Sequence, residues 1–491
     1  MLFNSVSFFV FFPVVLAVYF LVPKFLKQIW LLIASYYFYM SWNAKYAALI
    51  LISTVVTYGS GILLGRKENT ERQRKTVVAG CLLINLGILF FFKYFNFAVT
   101  VIAGTLEKMH LQVALPQIDV LLPVGISFYT FQALSYTMDV YRNDVAPETD
   151  FVRYALFVSF FPQLVAGPIE RSKNLLWQLK EPKRFDFEKA REGLLLMIWG
   201  YFLKVVIADR IAVFVDTVYG SVSAYRGFLI VFATVLFAFQ IYCDFYGYSA
   251  IATGAARFLG IELMENFDAP YLSASPSVFW RRWHISLTSW FRDYLYVPLG
   301  GSRKAQPRSY VNKMIVFLVS GLWHGASFAY VVWGGLNGLY QIIEEMTAPA
   351  RERIARVLHV NRSSYGYRFL AGVVTFLLVD FSWIFFRAGN LRTAAGAVYY
   401  MITEYNPWVL FDGSLYKCGL DEKNFRLLMI SLPVLLFADI CKRRGIRVRD
   451  RICAQDVWCR WIVIAVSIVA ILVFGAWGTQ YQANSFIYFQ F

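Results

Sequence analysis

The stretch "VFLVSGLWHGASFAYVVWGG", from Val316 to Gly335, contains no Asp, Glu, Lys or Arg, yet an imidazole, His324, sits in its middle between Trp323 and Gly325. A second histidine, His284, lies in "SVFWRRWHISLTSWFRDYLYVPLGG" among tryptophans, tyrosines and arginines. The chain has four histidines in all; His110 and His359 fall in polar loops and read as solvated surface. An ionisable side chain inside hydrocarbon is costly enough to count as a functional hypothesis by default. The plainer alternative is a neutral ring hydrogen-bonded between helices. An imidazole titrates near neutrality, which suits it to take a proton from a hydroxyl and hand it to a leaving group. Gly321, Gly325 and Ala326 permit close backbone approach beside His324, an arrangement expected to leave space for a narrow ligand.

The elements that hold these rings follow from composition. Of 491 residues, 58% are hydrophobic, 19% aromatic and only 16% charged. A soluble domain has no means of hiding that much apolar surface, so the chain reads as an all-α polytopic membrane protein. Runs of spanning length recur, among them "SVSFFVFFPVVLAVYFLV", "YAALILISTVVTYGSGILL", "TVVAGCLLINLGILFFF", "GFLIVFATVLFAFQIY", "FLAGVVTFLLVDFSWIFF" and "WIVIAVSIVAILVFGAW". They amount to about ten to twelve spans or partial spans. The first run lacks a basic leader and a small-residue cleavage site, so it is expected to stay as a span.

The net charge of +16 arises from 47 Lys+Arg against 31 Asp+Glu. The excess gathers in short loops such as "GRKENTERQRK" and "CKRRGIRVRDRICAQDVWCR", which the positive-inside rule places on the cytoplasmic face. On that path the loop at residues 66–75, Lys24 with Lys27, and residues 169–192 share one side. No loop interleaves bases and aromatics as a strand-binding groove would, which excludes nucleic acid as the partner. The six cysteines show neither metal spacing nor a disulfide framework. No linker or internal repeat divides residues 1–491, so a single transmembrane domain is expected.

Two regions do not read as simple spans. "FFPQLVAGPIER" breaks a short apolar run with Pro162, Gly167 and Pro168, and "ENFDAPYLSASPSVFWRRWHISLTSWFRDYLYVPLGGSR" mixes charge with aromatics. Broken helices at membrane depth are tolerated only where they line protein or a water-filled cavity.

Those stretches, together with "QIYCDFYGYSAIATGAARFLGI", "GLWHGASFAYVVWGGLNGLY", "FSWIFFRA" and the terminal "FIYFQF", resemble the membrane-bound O-acyltransferase superfamily. Within it they are similar to the bacterial branch typified by the alginate O-acetylating membrane subunit. The likeness runs from about residue 160 onward, with core motifs at about 160–390 and a carboxyl-terminal aromatic motif at 486–491. The WHIS and GLWHG blocks, about forty residues apart, are its most specific part. The resemblance implies helices arranged around a central tunnel. It also implies an enzyme of the bacterial inner membrane that takes acetyl from cytosolic acetyl-coenzyme A, needs no permanently bound cofactor or metal, and serves O-acetylation of an exported polysaccharide. His324 then corresponds to the family's essential base, and His284 to an orienting or oxyanion-stabilising group. Arg281, Arg282 and Arg303 would meet the phosphates of coenzyme A, with ordinary positive-inside arginines as the alternative. Tyr488 would carry the acyl group to an extracytoplasmic serine-dependent (SGNH, esterase-like) acyltransferase; the alternative is an interfacial aromatic anchor. The chain departs from the family pattern at Tyr246, Ala250 and Asn337. Two other functions stay open: D-alanyl transfer from a carrier protein to a teichoic acid-type polymer, and a transporter or flippase with a histidine relay.

Overall fold

A computed structural model describes the chain except for residues 112–114, 117, 119–121, 166, 304, 478–485 and 488–491. Among the described residues all regular structure is helical. The helix Glu71–Lys93 shows how the sequence builds it. Thr70 and Gln73 form a reciprocal capping box, Glu71 occupies the first turn and Lys93 the last, as the helix dipole favours. The apolar run lies between these signals, and its one buried amide, Asn85, accepts a 2.6 Å hydrogen bond from Ser53 on a neighbouring helix. Such polar bonds hold helices together where lipid supplies no hydrophobic drive.

Among the described residues six helices are long and apolar enough to cross a membrane: 44–64, 71–93, 228–258, 365–388, 422–443 and 457–474. Other apolar runs among the about ten to twelve spans and partial spans expected from hydropathy form shorter or broken helices. The first apolar run forms a helix of only 16 residues, Val6–Leu21. The short apolar run that ends in "FFPQLVAGPIER" forms two short helices, Phe151–Ser159 and Phe161–Leu164, parted at Phe160. The second irregular region divides into Pro270–Leu272, Pro276–Trp280, Ile285–Phe291 and a π-helical turn Arg292–Tyr296.

By its internal contacts the chain forms two compact units, residues 1–197 with 251–264, and residues 198–250 with 265–491. In the first unit the basic loops meet one another. Lys27 donates to the Lys183 carbonyl at 3.1 Å, Arg74 reaches the Tyr141 carbonyl and Asn143, and Lys173 pairs with Asp144. Both candidate histidines lie in the second unit.

Glu170, in the loop of the first unit outside the six spans, is fully buried. It accepts hydrogen bonds from the Met264 backbone and from Asn174, but burial dominates and pushes its carboxyl up from 4.5 to about 7. The native state therefore holds a proton that the unfolded chain has released. Stability from this group is full below about pH 4.5 and is lost as pH rises through 7, by up to about 3 kcal/mol. Thermal unfolding in detergent between pH 5 and pH 8 is expected to show that fall, and Glu170→Gln is expected to flatten it.

Candidate active site

The helix Gln306–His324 ends at His324, and Gly325 turns the chain out in an extended conformation. After Ser327, whose hydroxyl caps the next helix, Phe328–Val357 runs back. These two helices pack with almost nothing between them. A methyl group on Gly321 would stand 2.2 Å from the Tyr330 carbonyl oxygen, and one on Gly334 would stand 2.2 Å from that of Phe317. The space beside Gly325 is filled by the Tyr330 ring. The small residues around His324 thus serve the helix pair, and the room expected there for a narrow ligand is occupied by Tyr330. Small residues lower the distance between backbones whatever the occupant, and here the occupant is the same chain.

His324 is 4% exposed and lies edge-on to three aromatic rings. Ring centroids stand 4.9 Å away at Trp323, 5.0 Å at Trp333 and 5.3 Å at Phe386. Trp333 comes from the partner helix of the hairpin, and Phe386 from Tyr365–Ala388, the "FSWIFFRA" helix. The rings pack further through Trp383, stacked on Trp333 at 5.6 Å.

His284 approaches the same cluster from the irregular region. Its backbone is left-handed (φ 44°, ψ 56°), a conformation that costs a non-glycine residue about 1–3 kcal/mol and persists only when its surroundings enforce it. Asn266 does the enforcing. Its carbonyl accepts from the Ile285 N–H at 3.0 Å, its side-chain oxygen accepts from Ser286 Oγ at 2.7 Å, and its amide nitrogen donates to Ser249 at 3.1 Å. The His284 ring then meets Phe245 at 4.5 Å and Trp323 at 6.0 Å. Trp323 therefore contacts both imidazoles. Phe486, fully buried, lies 5.8 Å from Phe245 and 4.5 Å from Tyr248. The terminal aromatic motif thus begins with a ring buried inside the unit. Tyr488 itself lies outside the described residues.

The family model for membrane-bound O-acyltransferases matches residues 146–366. A probable alginate O-acetylase of Pseudomonas syringae pv. tomato is 36% identical over 435 residues, covering 88% of this chain and 80% of its own. The chain belongs to the membrane-bound O-acyltransferase family. A peptidoglycan O-acetyltransferase of Helicobacter pylori is 34% identical over 80% of this chain and 78% of its own. A teichoic acid D-alanyltransferase of Streptococcus thermophilus is 27% identical over 45% of this chain and 56% of its own.

In this acyltransferase the three arginines differ in their surroundings. Arg281 is exposed, with its guanidinium on the Ser277 carbonyl. Arg282 is half-buried and 3.8 Å from Asp268, and Arg303 stands exposed on a surface turn. His110 and His359 are exposed, as the sequence implied.

Of the departures from the family pattern, Tyr246 stacks on Tyr242 at 5.5 Å beneath the Lys442 ammonium, and Ala250 is buried. Asn337 is a strut: it donates to the Trp333 carbonyl at 2.8 Å and to Ser382 at 3.1 Å, and accepts from the Trp280 indole at 3.2 Å. Asn337→Leu leaves the buried Trp280 indole N–H without its acceptor, while the Ser382 hydroxyl keeps its bond to the Val379 carbonyl at 2.7 Å; an expected loss of about 1–3 kcal/mol is measured as a fall in the thermal midpoint. Sequence reasoning passed over Asn266, Lys204 and Asp244. Lys204 had a usable signal, since it is a lysine inside the apolar run "WGYFLKVVIA" and such residues are costly at membrane depth.

Proposed function

We propose that this chain is an inner-membrane O-acetyltransferase that takes acetyl from cytosolic acetyl-coenzyme A and passes it outward for O-acetylation of an exported polysaccharide. The observation that carries the reading is the contact of His284 and His324 with one indole, Trp323, in a buried aromatic cluster reached by Phe486 through Phe245. The alginate and peptidoglycan O-acetylating relatives support acetyl as the group and a polysaccharide as the acceptor. The D-alanyl relative matches less of the chain at lower identity.

In this mechanism His324 takes the proton of an acceptor hydroxyl as its oxygen attacks the thioester carbonyl carbon. The C–S bond breaks, an O-acetyl ester forms, and the imidazolium returns the proton to the departing thiolate. The ring sits at the carboxyl end of its helix, whose partial negative charge stabilises the imidazolium formed on the way. His284, held in its strained turn by Asn266, orients the substrate or donates to the developing oxyanion. Arg281, Arg282 and Arg303 meet the coenzyme A phosphates. Tyr488 supplies the first acceptor hydroxyl and releases acetyl to an extracytoplasmic serine-dependent (SGNH, esterase-like) partner, which acetylates the polymer.

The test is intact-mass analysis of the carboxyl-terminal peptide after incubation of purified protein with acetyl-coenzyme A. A 42 Da gain, the mass of one added acetyl group by elementary stoichiometry, is expected in the wild type and not in Tyr488→Phe. Full polymer acetylation by Tyr488→Phe rules out the relay. Release of no free thiol from acetyl-coenzyme A by the wild type, in the presence of its polymer system, rules out the donor.

A further inference from the structure

Two described stretches near the carboxyl end, at 474–476 and at Ile487, return to one short piece of helix. Phe202–Ala208 is π-helical, a widened turn found mostly as single insertions at functional sites. Its carbonyls are put to long-range use. That of Val205 accepts from the Ala476 N–H at 2.8 Å. Arg210, bonded to the Val206 carbonyl, also holds the Phe474 carbonyl at 2.9 Å and Asn424 at 3.0 Å. The chain leaving the last helix, Val457–Phe474, is thereby pinned to the π-helical segment.

The same segment reaches the sequence's last described residues by a second route. Lys204, 2% exposed, pairs with Asp209 and Asp244 at 2.7 Å each. The other oxygen of Asp244 accepts the backbone N–H of Ile487 at 2.8 Å. Buried charges persist when paired and hydrogen-bonded. One lysine facing two aspartates leaves acceptor capacity over, and a main-chain N–H fills it. Such charge-assisted bonds are short and directional. Asp244 lies on the same helix as Phe245 and Tyr248, the rings that receive Phe486, and Phe245 touches His284.

We infer that the π-helical segment Phe202–Ala208, with Lys204 and Asp244, is a seat that fixes the register of the carboxyl-terminal peptide. Lys204 and Asp244 are positioning residues: Asp244 holds the amide of Ile487, and Lys204 holds Asp244. Their purpose rests on the Tyr488 relay proposed above, since Tyr488 directly follows the held amide. A bond to a backbone N–H sets register regardless of side chain, which a reactive residue next in line requires.

Hydrogen exchange on the full chain in lipid nanodiscs, without acetyl donor, reads the seat directly. Slow exchange at Ile487 is expected in the wild type, and at least tenfold faster exchange in Asp244→Ala. With acetyl-coenzyme A added, acetyl on the terminal peptide should fall at least tenfold in kcat, with KM for the donor within twofold. Asp244→Asn, which keeps an oxygen acceptor, should restore part of both. If Asp244→Ala does not fold, Ile487→Pro, which removes the donating N–H together with the buried isoleucine side chain, is read against Ile487→Ala, which removes the side chain and keeps the N–H; a tenfold loss of transfer in the proline variant alone is expected, and equal losses in both overturn the seat. Unchanged Ile487 protection in Asp244→Ala overturns the seat, and so does a released peptide with undiminished transfer. A wild-type peptide that is protected at Ile487 yet never acetylated overturns the relay while supporting the seat, so the two failures read differently.

Discussion

His324→Ala is expected to lower the rate of acetyl transfer about 10²–10⁴-fold, the range that a positioned general base contributes. The imidazole has a ring nitrogen able to take a proton, a capacity that Trp323, Trp333 and Phe386 around it lack. Truncation also opens a cavity among those rings, and a stability loss would confuse the reading. His324→Gln separates the two effects. It retains side-chain bulk and hydrogen-bonding capacity but takes no proton at neutral pH. The same loss of rate is expected in His324→Gln, at a thermal midpoint close to that of the wild type. Transfer above a tenth of the wild-type rate in a folded Gln variant would remove His324 as the base. His284→Ala is a lesser experiment, because its left-handed turn depends on the local frame as well as on the ring.

Gly321→Ala and Gly334→Ala should cost nearly as much, although neither residue has any chemistry. Each added methyl would stand 2.2 Å from a backbone carbonyl oxygen of the facing helix. Backbone has no rotamer to change, so the two helices must part by about 1 Å to restore van der Waals contact. Overpacking of this kind costs about 1–3 kcal/mol. The larger consequence falls on geometry. His324 lies one turn beyond Gly321 and Trp333 is next to Gly334, so spreading the helices moves the base against its aromatic wall. A 1 Å displacement of a catalytic group lowers rate about 10²-fold. Gly80→Ala is the control, since nothing lies within 4 Å of the added methyl; it should leave rate and midpoint unchanged. Wild-type activity in both hairpin variants would show that this close packing does not position His324.

Much of the site was legible in one dimension. A histidine in an uncharged apolar stretch stands out because ionisable groups are rare there, and His324 and His284 do meet in one cluster through Trp323. The breaks at Pro162 and across residues 270–296 were legible too, since proline and glycine interrupt helices by local sterics. Other features were misjudged or missed for identifiable reasons. Gly321 and Gly325 announce a close approach but carry no information on what approaches, and Tyr330 comes from beyond the turn. Asn266 looks like an ordinary loop polar residue until Ile285 and Ser286 are seen to bond to it. Asp244 reads as part of "CDFYGYS" and nothing marks Ile487, 243 residues away, as its partner. Hydropathy scores composition in a window and does not say where an apolar run breaks into shorter helices, which the fold decides.

The amino-acid order alone settled the helical membrane class, the short basic loops and the two unusual histidines, because these depend on burial preference and nearest-neighbour sterics. Which rings surround His324, which amide braces His284 and where Phe486 and Ile487 lodge were decided only by folding. Those are pairings between distant segments, and a side chain's type states its capacity to bond without naming the partner it will find.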